Sequence, residues 1–163
     1  MKPANTVKLI LALLIAAVAL YLFFLRPTPL APGEMAFYYD EANDELVIDE
    51  AGKLAPFDGK VIARVYACEG SCSSASARQI AYLEKLTDVG REVMERGFEL
   101  ALAGEDPPPE LMDDGTFIRA NTLVRKPDED RWHSLDTRQG NRIVTGADDI
   151  CSSGDAVECD PAD

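Results

Sequence analysis

The sequence contains a single histidine and no recognisable nucleophile motif, and both absences limit the chemistry that the protein can perform. One imidazole restricts Ser–His–Asp and Cys–His arrangements, because each needs a histidine beside the nucleophile. A glycine-rich phosphate loop is also absent, so no motif indicates nucleotide binding. We therefore predict no catalytic residue and no cofactor, and we do not expect an enzyme.

Positive charge is scarce beyond the N-terminal segment. Residues 27–163 hold all 29 acidic residues and only 13 of the 16 basic ones, a formal net charge of −16. Such a surface disfavours nucleic acid and anionic lipid head groups, and we predict no nucleic-acid partner. It tolerates cationic partners or divalent ions, although plain solubility is the simpler interpretation.

The carboxylates gather in four clusters, none of which matches the calcium loop of EF-hand proteins with its fixed glycine and terminal glutamate. We interpret them as solvated turns, with weak binding of a divalent ion as the alternative. The clusters lie at Asp40–Glu45, Asp113–Asp114, Asp128–Asp130 and Asp148–Asp149.

One long apolar run, Leu9–Leu25, predicts a membrane anchor over residues 1–26. At 1.5 Å per residue this run spans roughly 26 Å, just under a hydrocarbon core of about 30 Å. Lys2 and Lys8 precede it and only Arg26 follows closely, so the positive-inside rule places the rest of the chain outside the inner (cytoplasmic) membrane. A cleaved signal peptide is the alternative, with Ala17–Ala19 as the cleavage-like site. No cysteine lies near this segment, which excludes a lipoprotein anchor.

The remaining chain divides into a proline-rich stalk (27–34), an extracytoplasmic domain (35–147) and an acidic, cysteine-containing tail (148–163). Two short apolar runs, Met35–Tyr39 and Leu46–Ile48, flank a turn-rich stretch and predict a hairpin. The run Lys60–Cys68 is rich in β-branched and aromatic residues with apolar positions on both faces, which predicts a central strand. Four of its residues share one face: Val61, Ala63, Val65 and Ala67.

From Ser73 the apolar spacing changes to three and four residues, which predicts one long helix ending before Gly104. Ser76 and Gln79 fit a capping box at its start, and Gly90 and Gly97 are expected to let it lie close to the sheet. Further strands are predicted within Gly115–Pro127 and at Arg131–Leu135 and Arg142–Thr145, the last two joined by a polar turn containing Gly140. This order predicts an α+β fold: a largely antiparallel sheet of roughly five or six strands with one long helix packed across it.

Four cysteines in an oxidising envelope predict two disulfides among Cys68, Cys72, Cys151 and Cys159. Three pairings are possible. Short separations favour Cys68–Cys72 with Cys151–Cys159, while either crossed pairing closes loops of about 80–90 residues and stabilises more, by roughly 4–4.7 kcal/mol per bridge.

The alternative is a thiol or copper site at the strand–helix corner, where a helix N-terminus would favour a thiolate at Cys72. The C-x3-C spacing resembles that of thioredoxin-like copper-delivery proteins, which use a distant histidine as third ligand. Only His133 could take that place here, and two thiolates with one imidazole suit copper(I). Those proteins carry further strand–helix units that this chain lacks, so we predict no metal site and keep Cys68, Cys72 and His133 as minority candidates.

The order of anchor, stalk, aromatic hairpin and "VIARVYACEGSCSSASARQIAYLEKLT" resembles small membrane-anchored bacterial envelope proteins of planctomycete type. The resemblance covers residues 1–90, and "C-x3-C…R-x-I-x-YLEK" is its most specific part. It implies an envelope accessory protein and adds no site residue. We expect the membrane and another envelope protein as partners, and the sequence indicates no oligomeric state. A pilin-like secretion subunit is a further alternative, although the "GFTLVEL"-like leader of type IV prepilins is missing.

Overall fold

Strand β3 (Lys60–Cys68) is the centre of the fold, as the sequence predicts. The computed structural model describes residues 33–68, 72–152 and 156–161. Burial alternates along β3, and the buried positions are Val61, Ala63, Val65 and Ala67. Alternate side chains of a strand point to opposite faces, so β3 contributes to a separate core on each side of the sheet. Glu34–Asp163 form one compact unit.

Seven strands of the described residues form one antiparallel sheet in a mixed α+β fold, in the order β2-β1-β3-β4-β5-β6. The predicted hairpin is confirmed as β1 (Met35–Asp40) and β2 (Glu45–Glu50). The acidic tail contributes β7, which pairs with Tyr66–Cys68, while β1 pairs with Lys60–Ile62 on the same edge of β3. The other strands are β4 (Arg78–Leu86), β5 (Thr122–Arg125), β6 (His133–Ser134) and β7 (Ala156–Glu158).

The two faces of the sheet carry different cores. On the valine face, the side of Val61 and Val65, the buried cluster also contains Phe37, Leu83, Cys72 and Cys159, with Trp132 packed against it. The tyrosine face is the side of Tyr66 and Tyr82, and helix α3 (Arg138–Thr145) covers part of it. Its buried cluster consists of Tyr82, Val124, Ile143 and Ala147.

The predicted long helix is wrong over its first half, where the chain forms β4. The pairing register shifts between Arg64 and Val65, so that Tyr82 lies opposite Arg64 and Ile80 opposite Val65. One extra residue in β4 therefore places Ile80 and Leu83 on the same face although they are three apart. That spacing imitates a helical period, and the proposed capping box at Ser76 does not form.

Helix α1 (Asp88–Ala103) is the second half of the predicted helix. Thr87 caps its N-terminus by accepting a hydrogen bond from the Gly90 amide at 3.0 Å. Its two glycines do not approach the sheet: a Cβ atom at Gly90 would collide with Asn121 and one at Gly97 with Leu111. The small residues thus let α1 approach the segment between Pro109 and Asn121.

One predicted strand is wrong, and the one predicted over Gly115–Pro127 is confirmed only in its second half, where Thr122–Arg125 form β5. Asp113 accepts hydrogen bonds from the amides of Gly115 and Phe117, both at 2.9 Å, and starts helix α2 (Thr116–Asn121) where a strand was expected. The stretch predicted as a strand at Arg142–Thr145 lies in α3, capped by Thr137, which accepts from the Gly140 amide. In both cases a side-chain oxygen satisfies helix amides that no intrahelical carbonyl reaches.

The predicted anchor (1–26) and nearly all of the predicted stalk (27–34) lie outside the described residues. Within the described ranges, no helix combines the length and the apolar character that crossing a bilayer requires.

We expect Gly140→Ala to destabilise the domain, because a Cβ at this buried helical position would overlap the backbone carbonyl of Ser134. Forced overpacking of this kind costs about 1–3 kcal/mol, so thermal unfolding followed by circular dichroism should show a lower midpoint. Gly33→Ala is the matched control, since a Cβ there meets nothing within 4 Å. Equal midpoints for the two variants would contradict the close approach of α3 to β6.

Candidate functional site

Both disulfides link the corner between β3 and β4, where a strand–helix corner was predicted, to the tail. Cys68 bonds Cys151 and Cys72 bonds Cys159, with Cα–Cα distances of 5.5 and 5.4 Å. The predicted disulfides are confirmed, but the preference for the local pairing is wrong. Sequence separations of 83 and 87 residues make both bridges long-range.

Cys68 and Cys72 do not bond to each other because they lie on opposite faces of the sheet. Cys68 follows Ala67 in β3 and so lies on the tyrosine face, where the Gln79 side-chain amide donates to its Sγ at 3.7 Å. Cys72 belongs to the buried cluster of the valine face together with Cys159. The tail is therefore bonded on one face before β7 and on the other face after it.

Pairing of β7 with β3 positions the second bridge. Glu158 lies opposite Tyr66, and the next residue, Cys159, donates its amide to the Val65 carbonyl at 2.8 Å. At the corner, the Arg78 guanidinium donates to the Cys72 carbonyl at 2.7 Å and lies 5.2 Å from the centre of the Phe37 ring. The corner is thus held by backbone pairing, a charged hydrogen bond and a cation–π contact as well as by the disulfides.

The structure does not bring the minority metal candidates together. His133 lies opposite Val124 in β6, Val124 opposite Glu84, and Glu84 opposite Ile62 in β3. His133 is therefore three strands away from β3 and level with a residue six positions before Cys68, about 14 Å across the sheet and about 20 Å along it. In residues 33–68, 72–152 and 156–161, no group of three or more His, Cys, Asp or Glu side chains is arranged to hold a metal ion.

An ion-pair cluster that sequence analysis missed joins the tail to the tyrosine face. The Arg64 guanidinium lies 3.4 Å from a Glu84 carboxylate oxygen and 3.5 Å from one of Glu158. Glu158 belongs to β7, so this contact holds the tail strand beside β3. The only available signal was a charged residue between Ile62 and Tyr66 on a strand face that is otherwise apolar.

A second missed cluster centres on Arg125, whose guanidinium is nearly buried. One nitrogen donates to the carbonyls of Lys126, Pro127 and Glu129, and the other pairs with the Glu41 carboxylate at 2.8 Å. Trp132 stacks near it, with its ring centre 5.0 Å from the guanidinium carbon. This cluster ties the hairpin turn after β1 to the loop after β5.

Apart from Glu41, which pairs with Arg125, the acidic clusters at Asp40–Glu45 and Asp113–Asp114 make local turn contacts. Asp40 accepts hydrogen bonds from the amides of Ala42 and Asn43 and from the Asn43 side chain, and these bonds lower its pKa. Asp114 accepts from the Thr116 hydroxyl, which lowers its pKa in the same way. These contacts fit the interpretation of the clusters as turns.

No protein-family model matches the chain, and no curated protein or solved structure is significantly similar to it.

We expect non-reducing peptide mapping to find Cys68 bonded to Cys151 and Cys72 bonded to Cys159. Cleavage of the denatured, unreduced protein after its glutamates, including Glu69, Glu84 and Glu158, places the four cysteines in four different peptides. A peptide joining Cys68 to Cys72 would contradict this pairing.

Replacing either bonded pair by alanine should lower the free energy of unfolding by about 2–5 kcal/mol, because each bridge closes a loop of more than 80 residues. Urea unfolding of Cys68→Ala/Cys151→Ala and Cys72→Ala/Cys159→Ala measures this loss. A mixed variant, Cys68→Ala/Cys72→Ala, removes one partner from each bridge and should lose both contributions. If the mixed variant were no less stable than the two paired ones, the long-range pairing would be wrong.

Alkaline pH should weaken the tyrosine-face core. Burial raises the pKa of Tyr82 from 10.0 to about 12. The folded state then holds this proton more tightly than the unfolded state, so its contribution to stability is complete below pH 10 and is lost as the pH rises through about 12. Tyr82→Phe should reduce the fall of unfolding free energy over this window by up to about 3 kcal/mol, measured by urea unfolding at pH 9 to 12. An unchanged slope would contradict the burial of this phenol.

Proposed function

We propose that this chain is a membrane-anchored, extracytoplasmic structural or interaction protein, with its sheet domain held by two disulfides. The observation that carries the proposal is that all four cysteines form long-range bridges from the central strand to the tail. Disulfides persist in oxidising compartments and are rare in reducing ones. A domain that relies on two of them is suited to the outer side of the cytoplasmic membrane.

The sequence supplies the tether in this proposal. The uncharged run Leu9–Leu25, with lysines before it and the proline-rich stalk after it, is typical of a single-pass anchor with its C-terminal domain outside. The acidic surface of residues 27–163 keeps such a domain soluble near an anionic bilayer.

The burial of the cysteines favours a structural role over thiol or copper chemistry. Cys72, Cys151 and Cys159 are each less than a tenth exposed, and Cys68 and Cys72 belong to different bridges. Cys68 and Cys72 could act as a dithiol only if both bridges opened, and these bridges are the two disulfides that hold β7 in place. The domain therefore presents a rigid surface for contact with an envelope partner.

Fractionation of bacterial cells producing the full chain tests the proposal. We expect the protein in the membrane fraction after an alkaline carbonate wash, its domain to be digested by protease added to spheroplasts, and its intact mass to show two disulfides and no bound copper. Leu14→Arg/Val18→Arg, which places two charges in the apolar run, should lose membrane retention. A soluble protein with four free thiols would overturn the proposal, and copper(I) lost in Cys68→Ser would favour the copper alternative.

A further inference from the structure

Strand β2 is an edge strand, because among the described strands it pairs with β1 alone. The Ala51 amide donates to the Glu34 carbonyl at 2.7 Å, which marks that opposed pair as hydrogen-bonded. Opposed pairs of an antiparallel ladder alternate between hydrogen-bonded and non-hydrogen-bonded pairs. This one bond therefore determines which residues of β2 bond to β1 and which direct their backbone groups away from it. Leu46, Ile48 and Glu50 accordingly direct their amides and carbonyls away from β1.

The hydrogen bonds on the opposite edge of β1, toward β3, confirm this alternation. The Glu41 amide donates to the Gly59 carbonyl at 3.1 Å, so odd-numbered residues of β1 bond toward β3 and even-numbered ones toward β2. Glu50 is already satisfied within the domain: its amide donates to Asp49 at 2.8 Å and its carbonyl accepts from the Tyr38 hydroxyl at 3.1 Å. The free edge therefore consists of the amides and carbonyls of Leu46 and Ile48, for which the described residues supply no partner.

Apolar side chains line this free edge. Ile48 is 47% exposed and Met35 is 42% exposed, and both lie on the valine face, since Ile48 opposes Phe37 and Met35 is two residues before it. Leu46, on the same face, is half-buried. A strand added beside β2 would bond to four backbone groups and at the same time cover Ile48.

The charged side chains of β2 indicate which kind of strand could pair with its free edge. Glu45 and Glu50 are exposed at the two ends of β2, about 17 Å apart at the usual rise of a strand. Asp49, between them, is already paired with Lys53 and with Lys60, the latter at 3.4 Å, which hold its pKa down to about 2. No described residue forms an ion pair with Glu45 or Glu50, although Lys53 also interacts with Glu50 at longer range, so the charge at the two ends of the edge is negative, with apolar surface between.

A second copy of this chain is a poor occupant. Antiparallel pairing of two β2 strands centred on Val47 would place Glu45 of one copy opposite Asp49 of the other. Like charges opposed across strands destabilise the pairing, and each chain carries a net charge of −13. Charge complementarity favours instead an extended segment with basic residues at its ends and apolar residues between them.

We propose that β2 is a docking edge that binds an extended, cationic segment of a partner protein by strand addition. This inference rests on the proposed role as an interaction protein and specifies the chemistry of the partner. It explains why an edge strand keeps exposed isoleucine at its centre and carboxylates at both ends.

Fluorescence anisotropy of the full chain in a mild detergent tests the proposal. The probe is a labelled nine-residue peptide with lysines at both ends and alternating valine and threonine between them. We expect saturable binding that weakens as salt rises, and no binding of the same peptide with glutamate in place of lysine. Ile48→Pro removes an outward amide that makes no internal hydrogen bond, and it should weaken binding at least tenfold, while Ile48→Ala keeps the amide and should weaken it less. Thermal unfolding checks that both variants fold.

A matched pair of charge variants separates the edge from general attraction to an acidic protein. Glu45→Gln/Glu50→Gln should weaken binding several-fold and reduce its salt dependence. Glu92→Gln/Glu99→Gln removes the same charge from exposed positions of α1 and should leave binding unchanged.

Equal loss in the two charge variants, full binding by folded Ile48→Pro, or concentration-dependent self-association through β2 would each overturn the docking edge. Binding in solution is independent of cell fractionation. A chain that binds the peptide but is soluble in the cell would overturn only the proposed location, and an anchored chain that does not bind would overturn only this inference.

Discussion

Everything in this domain depends on how two strands share one edge of β3. β1 pairs with its first residues and β7, from the tail, with its last. A three-residue strand offers few backbone hydrogen bonds and little buried area, so it would not stay in place unaided. Disulfides on either side of β7, one on each face of the sheet, supply the missing constraint, and the Arg64–Glu158 contact adds to it.

The same arrangement explains why the corner is structural. A C-x3-C pair can act as a dithiol only when both sulfurs point into the same space. Here the chain leaves β3 between the two cysteines, so that Cys68 stays on the tyrosine face and Cys72 enters the valine-face core. Each then meets a tail cysteine on its own side of the sheet.

Predictions from the sequence were correct where the spacing of apolar residues kept one period over a whole strand. The hairpin and β3 alternate cleanly, and both were predicted with nearly correct bounds. The predictions were wrong at β4, where one extra residue shifted the alternation and imitated a helix. They were also wrong at α2 and α3, which are too short for a helical period to be distinctive. At each helix start a side-chain oxygen, of Asp113 or of Thr137, accepts a hydrogen bond from an amide of the first turn. Of the candidate site, sequence supplied the four cysteines but neither their partners nor the arginine clusters.

The sequence by itself determined the α+β class, the central strand, the acidic surface and the presence of two disulfides, because these follow from composition and from local periodicity. Only the tertiary structure decided which cysteines bond, since that depends on the return of the tail to β3 and on the face to which each sulfur points. It also decided which of the described strands lies at an edge, with amides for which the described residues supply no partner. Both are properties of contacts between residues far apart in the chain, and local pattern carries no information about them.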